Sequence, residues 1–403
     1  MATTLPSSHS AEAPTPVPGP WPYYAEDEIE AVAEVLRSGK VNYWNSTTGR
    51  DLEKAFREYF GAKHAIALAN GTVAIDLALK ALGIGPGDEV IVTPRSFIAS
   101  VAPVVMLGAT PVFADVDRDS GNLSAETIEP KITPRTKAVI PVHLAGWPCD
   151  MTPMLDLCRQ HGIHVVEDCA QAHGAKYRGV GVGNHGIIGT WSFCTDKIIT
   201  TGGEGGMVTT ADDALWEFMW SYKDHGKSFD AMFHRQHAPG FRWVHESIGT
   251  NWRMPSPQAA IGLRQVAKMD DWHATRTRNA KILIDAFEGL DAVRVPTPGP
   301  DSVHAYYKFY MYVNREALKP DWSRDRIVAE IEARGVFIQQ GSCSEIYLEK
   351  AFDGTPFRPE QRLPNARELG ETSLLMLVHP TQSEAWMHHA AAVARDVLVE
   401  AAR

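Results

Sequence analysis

The stretch HAIALANGTVAIDLALKALGIGPGDEVIVTP, His64 to Pro94, decides how the chain is read. It begins as a short apolar strand, turns at Asn70, and runs into a helix that starts at Gly71-Thr72 and stops at Gly83. A glycine- and proline-rich loop then leads to a second apolar strand, Glu89 to Thr93. Strand, helix and strand in so few residues is the alternation of a parallel sheet covered by helices.

The same alternation extends outward. A helix is expected in SFIASVAPVVMLGA (96–109), then a strand in PVFADVD (111–117). TKAVIPVHLAG (136–146) reads as a strand, MLDLCRQHG (154–162) as a helix, and IHVVEDCAQ (163–171) as a strand ending on Glu167 and Asp168. WSFC (191–194) and GMVTT (206–210) add two more strands. Nearly unbroken apolar strands of this kind are buried on both faces, so the fold class is α/β with a mostly parallel central sheet covered by helices. The run from Pro257 to Leu290 is helical and long enough to bridge two domains. After Val295 the pattern changes to the alternating strand YYKFYMYVN (306–314) and two further helices, which suggests a smaller α+β C-terminal domain. The expected division is a disordered leader at 1–20, a large domain at 21–285 and a small domain at 286–403.

Composition narrows the function classes. The 403 residues are 44% hydrophobic and 22% charged, with a net charge of −10 spread along the chain. That balance argues against nucleic acid and anionic membranes as partners but leaves room for a local phosphate site. The five cysteines are an odd number without a CxxC pair, the pattern of reduced thiols in a cytoplasmic protein. Cys158, His161 and His164 lack the paired spacing of a zinc site, so no metal is expected. The Ala-, Ser-, Thr- and Pro-rich first twenty residues have no hydrophobic core of a signal peptide, and no stretch is long and apolar enough for a transmembrane helix.

Two glycine patterns resemble nucleotide cradles. Gly181, Gly183 and Gly186 in GVGNHG match GxGxxG, but a polar segment precedes them and a strand, not a helix, follows. Without strand-turn-helix context the motif has no phosphate-binding logic. GIGPGD (83–88) is a helix stop and a loop, again in the wrong order.

The informative residues are scattered over strand ends, where a parallel sheet gathers its ligand site. Gly71 and Thr72 open a helix whose free N–H groups favour an anion, although a plain capping threonine is the simpler reading. Phe97 follows the next strand and could lie flat on an aromatic ring or belong to the core. Asp168 ends a buried strand and wants a cationic partner. Ser192 and Lys197 come from the later strand and the glycine loop TTGGEGG after it. A phosphate pocket, a flat surface, a carboxylate for a ring nitrogen and an amine are the parts a pyridoxal-phosphate site requires.

With these residues in view, the chain resembles the sugar aminotransferases of the DegT/DnrJ/EryC1/StrS family, within the fold-type I pyridoxal-phosphate enzymes. ANGTVAIDLALKALGIGPGDEVIVTP, ITPRTKAVIPVHLAGWPCDM, EDCAQAHGA, WSFCTDKIITTGGEGGMVTT and GTNWRMPSPQAAIGLRQ carry the likeness across the large domain. The resemblance implies that Lys197 is the Schiff-base lysine and proton carrier, and that Asp168 pairs with the pyridine nitrogen. It also implies Gln171 near the ring hydroxyl, Phe97 stacked on the ring, and Gly71, Thr72 and Ser192 on the phosphate. Asn251 resembles an asparagine that reaches the cofactor of a neighbouring subunit, implying a homodimer with shared active sites. The implied substrates are L-glutamate and a nucleotide-linked keto sugar, most simply an NDP-4-keto-6-deoxyhexose. The family has a single glycine before EGG where this chain has Gly202 and Gly203, which puts the shape of the substrate mouth in question.

Alternatives within the resemblance are a keto-cyclitol or aminoshikimate-type aminotransferase and a pyridoxamine-dependent sugar dehydratase. Resembling dehydratases carry histidine at the lysine position, and Lys197 argues against them. A non-catalytic regulatory protein of the same fold is the alternative from another class, opposed by the complete residue set. Specificity is expected from the loops VNYWNSTTGR (41–50), HGKSFDAMFHRQHAPGFRWVHES (225–247) and QQGSCSEIYLEKAF (339–352). Trp44 could meet the substrate from the first, and Lys223, His225, Arg242 and Arg253 are the expected basic residues for a substrate diphosphate.

Overall fold

The structure is a computed structural model that describes residues 16–403. The strand, helix and strand read from His64 to Pro94 are present as strand β1 (His64–Leu68), a helix over Gly71–Ala81, and β2 (Glu89–Val92). The central sheet continues with β3 (Thr110–Phe113), β4 (Thr136–Ile140) and β5 (His164–Asp168). A hairpin of β6 (Lys176–Tyr177) and β7 (Val180–Gly181) intervenes before β8 (Ile188–Ser192) and β9 (Gly206–Thr210). The seven strands lie in the order β1-β9-β8-β5-β4-β2-β3. β8, β5, β4, β2 and β3 run parallel, and β9 alone runs antiparallel to its neighbours β1 and β8. The ends of β1, β2, β5 and β8 therefore meet at one edge, together with the start of β9.

Gly206, the first residue of β9, shows why this corner needs glycine: a Cβ there would sit 2.3 Å from the Asn70 carbonyl oxygen. The closeness brings the loop after β1 against the strand that follows Lys197.

Two expected helices are broken. In the segment after β2 only a 3-10 turn (Ile98–Ser100) and a short helix (Ala102–Met106) form, because Pro103 has no N–H to continue a ladder from the preceding turn. The long run after Pro255 is two helices, Ser256–Val266 and Met269–Phe287, interrupted at Ala267 and Lys268. Lys268 reaches Asp27 at 2.7 Å and Glu28 at 3.0 Å on the first helix (Glu26–Ser38).

The second of these helices carries Met269 into a core with Phe56, Trp191 and Phe193, and its far end carries Ala280, Leu283 and Phe287 into a different core. That second core is closed by β10 (Val293–Arg294), β12 (Phe309–Val313) and β13 (Ser373–Met376), an antiparallel sheet, and by the helix Glu384–Ala401. β11 (Ser302–Val303) instead pairs with β6, and Tyr347 and Phe352 pack on Phe113 of β3. Residues 302–303 thus join the β6–β7 hairpin and residues 347–352 lie against β3, although both follow Val295 in sequence.

The expected disordered leader falls outside the described residues up to residue 15. Its last residues are held: Gly19 donates to Gln382 at 3.0 Å, and the Thr381 hydroxyl donates to the Pro20 carbonyl at 2.6 Å. Among the described residues no helix is long and apolar enough to cross a membrane.

Candidate active site

The end of β1 is shaped by one contact. A Cβ on Gly71 would lie 2.5 Å from the Ser192 Cβ, so only glycine lets the end of β8 come this close to the helix start. The helix is capped by Asn70, whose side-chain oxygen accepts from the Val73 N–H at 3.0 Å. Thr72 is therefore not the cap, as the simpler reading had it; it sits inside the first turn and lines a cavity with Gly71 and Ser192.

Asp168 closes β5 at 4% exposure. It accepts from the Ser100 hydroxyl at 2.7 Å and from the Ala170 N–H at 3.0 Å, and no described cationic side chain forms an ion pair with it. Burial holds its carboxyl above the ordinary range, the hydrogen bonds from Ser100 and Ala170 and the charge of Lys197 working in the opposite direction. Its neighbour Glu167 points to the other face of the strand. There the loop with the GxGxxG match wraps around it: the N–H groups of Gly183, His185 and Gly186 donate to its carboxylate at 2.8, 2.8 and 2.6 Å. The glycine motif is thus an anion nest, but for the protein's own carboxylate. His143 Nε2 lies 3.0 Å from the same carboxylate, and its Nδ1 accepts from the Cys149 N–H at 3.0 Å, which fixes the proton on Nε2. His143, Glu167 and Cys169 lie close enough to suggest a metal site, yet four donors already occupy the Glu167 oxygens.

Lys197 follows β8 on a loop that returns through Gly202 (φ 78°) and Gly203 (φ 115°) into β9. Its Nζ donates to the Tyr307 hydroxyl at 3.3 Å and lies 3.3 Å from Asp196 Oδ1. The Tyr307 hydroxyl in turn donates to Asp196. Lys308 Nζ is 3.8 Å from Asp196; burial pulls its pKa down to about 8, with Asp196 opposing. Behind the lysine, the Trp21 indole donates to the Lys197 carbonyl at 3.2 Å.

These groups surround one cavity of about 500 Å³. Asp168, Gln171 and Lys197 line it with Gly71, Thr72 and Ser192, and Phe97 stands at its edge with its ring 69% exposed. The Gln171 side-chain oxygen accepts from Ala145 N–H at 2.8 Å, which leaves its NH2 group as the donor side. Seven of the eight residues singled out in the sequence therefore meet. Asn251 does not line the cavity; it is exposed, bridged through its backbone to Asp224.

The expected basic residues fare differently. Lys223 is fully buried, its ammonium 3.9 Å from the centre of the Tyr43 ring, and burial lowers its pKa to about 8. It cannot meet a substrate. Arg253 is paired with Asp224, His225 and Arg242 are exposed away from the cavity, and Trp44 stacks on Phe233. Of the three candidate loops only the last enters the site, through Gln339, Gly341, Ser342 and Cys343. Asp196, Tyr307 and Lys308 were not singled out; the alternation of YYKFYMYVN marks a strand but carries no sign of which end approaches Lys197.

The residues fit the cofactor the resemblance implies. The decisive observation is Asp168: a buried carboxylate with no ion-pair partner among the described residues, which a protonated ring nitrogen would complete. An amine, a helix start with two flanking hydroxyls, and an uncovered aromatic ring supply the remaining contacts.

Comparison with known proteins agrees. The model of the DegT/DnrJ/EryC1/StrS aminotransferase family matches residues 22–393. A GDP-perosamine synthase of Caulobacter vibrioides is 43% identical over 296 residues, 73% of this chain and 76% of that protein. A dTDP-3-amino-3,4,6-trideoxy-alpha-D-glucose transaminase of Streptomyces venezuelae is 35% identical, over 87% of this chain and 86% of its own. The crystal structure of an aminotransferase from Psychrobacter cryohalolentis superposes with a TM-score of 0.94 at 53% identity, covering 96% of this chain and all of that one.

Proposed function

Because the chain belongs to the DegT/DnrJ/EryC1/StrS aminotransferase family, we propose that it moves an amino group from L-glutamate to a nucleotide-linked keto sugar, an NDP-4-keto-6-deoxyhexose. The observation that carries this reading is the meeting of Lys197, Asp168 and the Gly71–Thr72 helix start in one cavity. Pyridoxal phosphate, when bound, supplies an aldehyde through which amines are exchanged and a ring that takes up electrons. Asp168 would keep the ring nitrogen protonated. Gln171 donates to the ring oxygen, and Phe97 offers its exposed face to the ring. Gly71, Thr72 and Ser192 hold the phosphate through N–H groups and hydroxyls. Lys197 would be the covalent anchor, and its Nζ, when free, would be the group that holds and moves a proton at the cavity wall. A lysine at this position opposes the dehydratase reading.

The nucleotide-sugar acceptor is supported by the activities for which the two relatives are named. The higher identity of the perosamine synthase favours amination at C4 over C3. We place the reaction in the cytoplasm, where reduced thiols such as the five free cysteines persist. The test offers glutamate with UDP-, GDP- and dTDP-linked 4-keto-6-deoxy sugars, a 3-keto isomer and scyllo-inosose, and follows release of 2-oxoglutarate. Turnover of a 4-keto nucleotide sugar is expected. Turnover of the cyclitol alone overturns the nucleotide-sugar reading, and 3-keto turnover alone moves the reaction to C3.

Asn251 acts, in this reading, on the site of a second copy. Beside it the chain exposes Phe241, Trp243 and Ile248, at 75%, 80% and 92%, an apolar stretch of the kind that a subunit interface covers. Mixing inactive Lys197→Ala with inactive Asn251→Ala subunits should then restore one working site per mixed dimer. A fully active monomer in sedimentation would refute the shared site.

A further inference from the structure

We propose that Tyr307, oriented by Asp196, is the positioning residue for the Lys197 nitrogen: the pair takes up the hydrogen bonds of that nitrogen and sets its proton affinity. The inference rests on the reading of Lys197 as the cofactor lysine. It begins from the direction of the hydrogen bonds. Asp196 accepts from the Tyr307 hydroxyl, so the phenol proton is committed, and the oxygen that remains faces Lys197 as an acceptor. Nζ donates to that oxygen at 3.3 Å and has Asp196 Oδ1 at 3.3 Å as a second, charged neighbour. Tyr307 is itself buried and cannot swing away, and its backbone is fixed as well. The carbonyls of Tyr306 and Tyr307 accept from the Arg276 guanidinium at 3.2 and 3.3 Å.

A lysine released from a covalent link has several rotatable bonds and must be returned to the same place in every cycle. The phenol oxygen gives it one seat, close to the reacting position. Asp196 does the electrostatic part: its carboxylate sets a negative charge 3.3 Å from the nitrogen. The other titratable groups that feel the Lys197 charge are Asp168 at the end of β5, His173 from the segment after it, and Lys308 just before β12. Lys308 and Asp196 interact at 3.8 Å, so the tyrosine and the two lysines share one carboxylate. Neither residue follows from the cofactor contacts, since those are supplied by Asp168, Gln171, Ser192 and the helix start.

The experiment uses the holoenzyme and follows the visible absorption band of the Lys197-bound cofactor across pH, in wild type, Asp196→Asn, Asp196→Glu and Tyr307→Phe. Asp196 is half exposed and its substitution leaves the core intact, so folding is not at stake. Removing its charge should lower the midpoint of the titration by about one pH unit, a tenfold loss of proton affinity. Tyr307→Phe keeps the ring and should lower it by less, and Asp196→Glu should restore most of the wild-type value. A purely structural role would move none of these midpoints in that order. If both Asp196→Asn and Tyr307→Phe titrate as wild type does while borohydride still fixes the cofactor on Lys197, the positioning role is wrong and the cofactor reading stands. If wild type shows no such band with cofactor present, the cofactor reading itself fails and takes the proposal with it.

Discussion

Lys197→Ala is expected to lose turnover by about 10³-fold, the scale on which a positioned proton carrier contributes, and to lose covalent attachment of the cofactor altogether. Binding of pyridoxamine phosphate should survive. The groups that would hold it come from other elements: the helix start at Gly71 and Thr72, Ser192 at the end of β8, Asp168 on β5 and the Phe97 ring. The side chain removed is a lone amine in a polar cluster at the cavity wall, so the fold should be unaffected. Steady-state release of 2-oxoglutarate and calorimetric titration with pyridoxamine phosphate separate the two effects. A variant that retains turnover, or that loses the ring and phosphate contacts along with the amine, would contradict the assignment.

Glu167→Ala should have the largest effect on stability, although Glu167 touches nothing in the cavity. Three N–H groups and the His143 imidazole all end on its carboxylate inside the protein. Removing the acceptor strands four donors, and the expected loss is about 3–5 kcal/mol, the range for breaking a buried charged partner. Glu167→Gln should lose less, because its oxygen still accepts while its NH2 faces donors. The pH dependence has a defined sign. Burial alone would raise the Glu167 pKa, but the hydrogen bonds from His143 and Gly186 outweigh it and hold it below the ordinary range. Its contribution is therefore present above the unfolded carboxyl value of about 4.3 and disappears as pH falls through the lower folded one. Thermal unfolding of wild type should weaken on acidification in that window, and Glu167→Ala should respond less. Equal stability of the two proteins at neutral pH would show that the nest is not a structural anchor.

Much of this site was legible before any coordinates, for a physical reason. Local periodicity defines strands and helices, and a parallel sheet has only one edge at which its strand ends can gather. Gly71, Thr72, Phe97, Asp168, Gln171, Ser192 and Lys197 are all within a few residues of such an end, so their meeting follows once the topology is known. What could not be read was contact between distant segments. Tyr307 lies 110 positions from Lys197, and nothing in its own surroundings says which strand end it will face. Lys223 illustrates the same limit in reverse. From the sequence it is a basic residue expected over the site for a substrate diphosphate, yet tertiary packing carries it onto the Tyr43 ring, deep in the fold. The glycine motif at Gly181–Gly186 lacks the strand-turn-helix context of a nucleotide cradle. Its purpose became visible only when Glu167, from another strand, was found within it. Pro103 and the Ala267–Lys268 interruption broke helices that periodicity alone would have continued.

The central claim, that this cavity holds pyridoxal phosphate on Lys197, is tested most directly by borohydride reduction of the protein reconstituted with the cofactor, followed by peptide mapping. The account predicts a single reduced adduct on the peptide that contains Lys197, and none on that peptide in Lys197→Ala. An adduct on Lys308 or on any other lysine, with Lys197 unmodified, would contradict it.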